Sequence, residues 1–108
     1  MDLRIGDLRH RLVLEQVVRQ DDGSGGAQET WELVEELWAA LRPLSGQEGD
    51  ASDQIAGRVS HEIWVRYRPG VKPDMRFRFG SRVFEVRAVI DVDERRRYLK
   101  CLAEERDL

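Results

Sequence analysis

The chain has 108 residues, 36% of them charged and 41% hydrophobic, with a net charge of −3. That length makes one domain with a single core, able to bury roughly two thirds of the surface its unfolded chain exposes. No run approaches the roughly 18 apolar residues of a membrane span, charged residues from Asp2 onward exclude a signal peptide, and the lone Cys101 closes no internal disulfide. Synthesis in the cytoplasm, without a membrane partner, is the expectation.

In chain order, Leu3 and Ile5 before Gly6 and Asp7 suit a turn that tucks the start of the chain onto the core. From His10 to Val18, Leu12 and Leu14 alternate with Arg11, Val13 and Glu15, which predicts a first strand. Residues 19–28, RQDDGSGGAQ, have the composition of a long flexible loop, either a hairpin connection or an arm that orders on meeting a partner. The next stretch, TWELVEELWAALRPL from Thr30, is ambiguous. Helical spacing collects Trp31, Val34, Leu37, Trp38 and Leu41 behind a capping Thr30, and its Glu, Leu and Ala content favours helix. Strand spacing collects Trp31, Leu33, Leu37, Ala39 and Leu41, interrupted by Glu35. Residues 45–60 suit a short, weakly amphipathic helix or an ordered surface loop.

The second half is more legible. Four extended segments, HEIWVRYR, MRFRF, RVFEVRAVID and RRYLKCLAEE, are joined by RPGVKPD, GS and VDER, the pattern of an antiparallel meander. His61, Ile63, Val65 and Tyr67 share one face opposite Glu62, Trp64, Arg66 and Arg68. Met75, Phe77 and Phe79 alternate with Arg76 and Arg78, and Phe84, Val86, Ala88 and Ile90 alternate with Glu85 and Arg87. Gly80-Ser81 fits a two-residue type II′ hairpin, and Pro69-Gly70 a type II bend. The fold class is therefore mainly all-β for one domain spanning residues 1–108.

Catalytic and cofactor chemistry lacks its usual residue patterns. His10 and His61 have no metal-ligand spacing with each other or with Cys101. The acids Asp91, Asp93 and Glu94 lack the remaining ligands and the glycine of an EF-hand, and DGSGG lacks the lysine of a P-loop. Ser24, Ser45, Ser52, Ser60 and Ser81 sit in no nucleophile motif. No catalytic residue, metal or cofactor is expected. A nucleic-acid-binding β barrel is the alternative, because Arg66, Arg68, Arg76, Arg78 and Arg82 interleave with Trp64, Tyr67, Phe77 and Phe79. Strand parity opposes it, since Phe77 and Phe79 fall on the face away from Arg76 and Arg78, and net acidity weakens it further.

Charge is unevenly divided along the chain. Glu15 to Asp53 holds ten acids and two bases, Arg66 to Arg87 seven bases and two acids. Opposite charge on two segments of one subunit offers complementary surfaces to neighbours. The basic candidates for an interface are Arg66, Arg68, Arg76, Arg78 and Arg82.

Three phrases resemble the phage head-tail joining family, which includes head-tail adaptor and head-closure or stopper proteins. They are IGDLRHRLVLEQ at Ile5–Gln16, ETWELVEELWAALRPLSGQE at Glu29–Glu48, and the long run from Val65 to Leu102 containing VRYRPG and VIDVDERRRY. The resemblance covers nearly the whole chain in the correct order. It implies a small antiparallel β barrel with one short helix near residues 46–57, and it makes Thr30–Leu41 extended. It also implies a virion protein at the head-tail junction, assembled as a homo-oligomeric ring of about six or twelve copies. A portal or adaptor ring would lie above it and a tail terminator or tail tube protein below, with DNA passing through the lumen without sequence-specific contacts. On that arrangement Asp21, Asp22, Asp50 and Asp53 are the candidates for acids that face the lumen or a partner and repel phosphate.

Overall fold

The computed structural model describes residues 5–44 and 59–106. The helix expected near residues 46–57, with Asp50 and Asp53, lies outside the described residues. Six strands form one antiparallel sheet that closes on itself: β1 (His10–Asp21), β2 (Ala27–Pro43), β3 (His61–Arg66), β4 (Arg76–Phe79), β5 (Arg82–Asp91) and β6 (Tyr98–Arg106). Their order around the barrel is β1-β2-β3-β6-β5-β4, with β4 returning to β1. Thr30–Leu41 is extended within β2, as the family resemblance implied and propensity alone did not.

Period-2 alternation fills the interior. Leu12, Leu14, Ile63, Val65, Phe77, Phe84, Val86 and Cys101 are all but completely buried and form one cluster with Ala39, Met75, Leu99 and Ala103. Phe79 packs against that cluster while Arg78 is exposed, so the aromatics of β4 point inward and its arginines outward. The turns match their residues. Gly80 at φ 61 and Gly70 at φ 89 take the left-handed backbone that type II′ and type II turns require at those positions.

Two β-bulges alter the alternation. Leu14 pairs with Glu35 and Glu15 with Leu33, which leaves Val34 as an extra residue on β2. Val34 packs against the core beside Leu37 and Leu41, whereas Leu33 is exposed. On β5, Val86 pairs with Ala103 and Ala88 with Leu102, so Arg87 is the extra residue. Beyond it the faces exchange: Val89 packs on the core and Ile90 is exposed, the reverse of the expected series through Ala88 and Ile90.

The outer face of β3 is not solvated either. Trp64 is buried with Leu8 and Ala40 under Val92 and Tyr98, and its Nε1–H donates to Glu62 Oε1 at 3.1 Å. The opening segment supplies this cover through a 3-10 turn at Ile5–Asp7. Of the segment expected to tuck onto the core, Leu8 lands on the outside of the barrel wall, while Leu3 lies outside the described residues. Tyr67, expected on the inner face with Val65, lies past the end of β3 and is exposed.

Candidate interaction surfaces

The loop expected at residues 19–28 narrows to Asp22–Gly26, because β1 continues to Asp21 and β2 begins at Ala27. Both strands outrun the barrel. β1 pairs with β4 only from Val13 to Glu15, and β2 pairs with β3 only from Ala39 to Pro43. Past Glu15 the two strands pair only with each other among the described residues, as a hairpin arm about 20 Å long at the usual rise per residue. At its base, Val17, Arg19, Glu29 and Trp31 line a hollow with Asp74, Met75, Glu85, Val86 and Arg87. Every residue from Arg19 to Thr30 is exposed.

Asp21 and Asp22 lie at the tip of this arm and shape it. Asp21 Oδ1 accepts the Gly23 N–H at 2.9 Å, and Asp22 Oδ1 accepts those of Ser24 at 2.8 Å and Gly26 at 3.1 Å. These are the aspartate-to-backbone bonds that let a tight turn form without a partner strand. Arg19 pairs with Glu29 at 3.4 Å across the arm, and Gln16 donates to Glu32 at 2.8 Å. Neither Asp21, Asp22 nor Glu32 has a cationic partner among the described residues.

The arm is rooted by a buried charge. Glu15 is 7% exposed and accepts from Arg76 Nε at 2.7 Å, with Arg78 Nη1 3.6 Å from its other oxygen. The Arg76 guanidinium also stacks on Trp31, 3.9 Å from the ring centroid. One arginine thus joins β4, β1 and β2 where the arm leaves the wall.

The five arginines expected to form a basic patch are distributed and mostly paired. Arg68 lies 3.4 Å from Glu35, Arg76 and Arg78 share Glu15, and Arg82 Nε donates to Glu105 at 2.7 Å. Arg82 stands at the barrel end that holds His61 and the close of β6, whereas Arg66 stands at the opposite end beside Tyr98. The arginines that carry no ion pair among the described residues are Arg66 and the run Arg95, Arg96 and Arg97. That run was legible as DERRRY but reads there as a turn; only its juxtaposition with Arg66 across β3 and β6 marks it as a surface.

At the far end, the His61 side chain is buried with its ring 5.0 Å from that of Phe84 and its Nδ1 2.8 Å from Ser60 Oγ. Burial holds its pKa below the ordinary 6.5; the nearby Glu105 carboxylate opposes that shift and the Arg82 guanidinium adds to it. The hydrogen bond from Arg82 in turn holds the Glu105 carboxyl below its usual range. Burial pushes the Cys101 thiol up to about 12, so it is a protonated core side chain at neutral pH. No group of three or more metal-ligating side chains converges among the described residues.

A closed barrel with a projecting acidic hairpin and a separate unpaired basic crest is the anatomy of a module whose chemistry lies in its surfaces. The chain belongs to the phage head completion protein family, whose model it matches over residues 3–106, and is a structural component of the virion. Among solved structures it is similar to a chain of the virion of a native gene transfer agent particle. That similarity has 34% identity and a TM-score of 0.68, and covers 91% of this chain and 94% of the other. It is also similar to protein SF1141 from Shigella flexneri 2a, solved in solution, with 28% identity and a TM-score of 0.73 over 95% and 96% of the two chains. No curated protein matches it.

Proposed function

We propose that the chain is a head-tail connector: a ring of identical subunits that joins the portal complex to the tail and helps retain packaged DNA. The observation that carries this reading is the match to the head completion family along almost the entire barrel, including the arm. Its anatomy suits the role. The closed wall needs no partner to satisfy its interior, so each copy can fold first and assemble afterwards. The arm and the crest lie at different places on the surface, as head-to-tail contacts that close by rotation require. Asp21 and Asp22 at the arm tip, with Asp50 and Asp53, are the candidates to face either a partner or the lumen, where acidic side chains would repel the phosphates of DNA in transit.

The test is a deletion of the gene followed by purification of particles. Heads that fail to join tails and lose nuclease-protected DNA are the expected result, with a ring at the head-tail junction of complemented particles by electron microscopy. Tailed particles of normal DNA content that lack this chain would refute the role.

A further inference from the structure

The end of β3, the residue after it, the loop before β6 and the first residue of β6 form a hollow lined by Arg66, Tyr67, Arg96, Arg97 and Tyr98. Three arginines and two tyrosines line it, and no acidic residue does. Arg66, Arg96 and Arg97 are exposed, and none of them has an ion pair among the described residues, in contrast to Arg68, Arg76, Arg78, Arg82 and Arg87. The loop that presents them is held in an unusual shape. Asp93, Glu94 and Arg96 all have φ between 54 and 56, a left-handed backbone that L side chains adopt at a cost. The Arg96 N–H donates to Asp91 Oδ1 at 3.0 Å, and the Tyr67 N–H to the Arg97 carbonyl at 2.9 Å, which fixes the crest against β3.

Arginines carried on a held backbone, with no acidic residue among the lining, are complementary to an acidic group that arrives from outside. One chain carries both halves of such a contact. Among the described residues, Asp21 and Asp22 at the arm tip are exposed with no cationic partner and the arm's outer strand edges are unpaired. No ion pair joins arm to crest within the chain among the described residues. The geometry points to a second copy of this chain as the occupant: Asp21 and Asp22 of one subunit seat in the Arg66, Arg96 and Arg97 hollow of the next. This deepens the connector reading and rests on it, because two different surfaces meeting head to tail generate a ring when the rotation closes. The carboxylates that shape the turn through one oxygen keep lone pairs free for guanidinium donors.

The test uses the full chain at low ionic strength, with assembly size read by sedimentation velocity and fold by circular dichroism. Asp21→Lys with Asp22→Lys, and separately Arg96→Glu with Arg97→Glu, should each weaken association by about tenfold or more, since like charges then face each other. The variant carrying all four substitutions should recover assembly. Mixing the arm variant with the crest variant should also recover assembly, the two variants alternating, because lysine tips then meet glutamate crests and aspartate tips meet arginine crests. About 1 M salt, where the Debye length falls to about 3 Å, should weaken the wild-type contact. If both two-site variants assemble like the wild type, the arm-to-crest contact is wrong while the ring survives. If a short DNA duplex binds the wild type and the arm variant but not the crest variant, with assembly unchanged throughout, the hollow holds phosphate and the contact is again wrong. A wild-type chain that forms no assembly in solution and no ring in particles removes the connector reading together with this contact.

Discussion

The barrel wall and the arm are built from the same two strands, yet physical chemistry treats them differently. Val13–Glu15 of β1 pair with both β2 and β4, Ala39 of β2 pairs with both β1 and β3, and this part of the two strands buries Leu12, Leu14 and Ala39 completely. A few residues further on, the same strands have one neighbour, no residue that is buried, and a tip of glycines and aspartates. An isolated two-stranded hairpin is marginal in water, so the arm persists by being continuous with a sheet that is stable for other reasons. The wall stabilises itself. The arm is stabilised by the wall, and its exposed edges and charges remain available for something else.

The largest effects should come from the wall. Phe84→Ala removes a completely buried ring at the contact with His61 and should cost about 3–5 kcal/mol in urea unfolding. Replacing residues 20–28 by an Asn-Gly turn should change stability by less than about 1 kcal/mol, since the removed residues are all exposed. Comparable losses from the two changes would mean that arm and barrel fold as one unit, and the contrast drawn above would fail.

The boundary between the regions is the next place to press. Glu15 is the one buried carboxylate at the root of the arm, shared by Arg76 and Arg78, and Glu15→Ala leaves the partly buried Arg76 without its partner. Breaking such a pair from one side should cost about 3 kcal/mol, toward the low end for buried pairs because Arg78 is nearly half exposed. The Glu15→Ala, Arg76→Met double variant should recover part of that loss. Equal destabilisation by the single and double changes would show that packing against Trp31, and not charge, holds the root.

How much of this was legible in the sequence follows the bulges. The meander from His61 onward could be read because period-2 alternation and the Gly70 and Gly80 turns agree with each other. Thr30–Leu41 could not be read from pattern alone, and Val34 is the reason. An extra residue in a strand shifts the inward series by one, so Val34, Leu37 and Leu41 all reach the core at spacings of a helix although the backbone is extended. Arg87 does the same on a smaller scale, carrying the inward series from Val86 to Val89 and exposing Ile90. A bulge has no residue-type signature of its own at either position; it is set by pairing with strands distant in sequence, which local propensity cannot register. The surfaces divide in the same way. Asp21 and Asp22 were recognisable because a turn concentrates its charges locally, whereas the pairing of Arg68, Arg76, Arg78 and Arg82 with Glu35, Glu15 and Glu105 depends on the closure of the barrel.

A smaller effect should distinguish the two ends of the wall. His61 is held below its ordinary pKa of 6.5, so as pH falls below that value the unfolded chain takes up a proton that the folded one resists. The unfolded state then binds more protons, and stability falls with falling pH until the folded pKa is passed. The stabilisation from the depressed Glu105 carboxyl is likewise present above its ordinary value of 4.5 and lost in more acidic solution, which extends the decline. His61→Phe should flatten the first part of this profile, measured as the urea midpoint at successive pH values. An unchanged slope below pH 6.5 would place the titration elsewhere.

The smallest expected effect leaves stability untouched and measures its distribution directly. Cys101 is completely buried, and its thiol is pushed up to about 12 by that burial, so a thiol reagent can reach a reactive thiolate only when the wall opens. The arm offers a protease the exposed Arg19 without any such opening. At equal denaturant, cleavage after Arg19 should therefore be fast and nearly independent of urea, while labelling of Cys101 should accelerate with urea along the global unfolding curve. The separation between those two dependences is the free-energy difference between a self-sufficient wall and an appendage. If cleavage at Arg19 instead follows the same steep urea dependence as Cys101, the arm is held by the core after all. The unpartnered edges would then be protected by a contact within the subunit and not reserved for a neighbour.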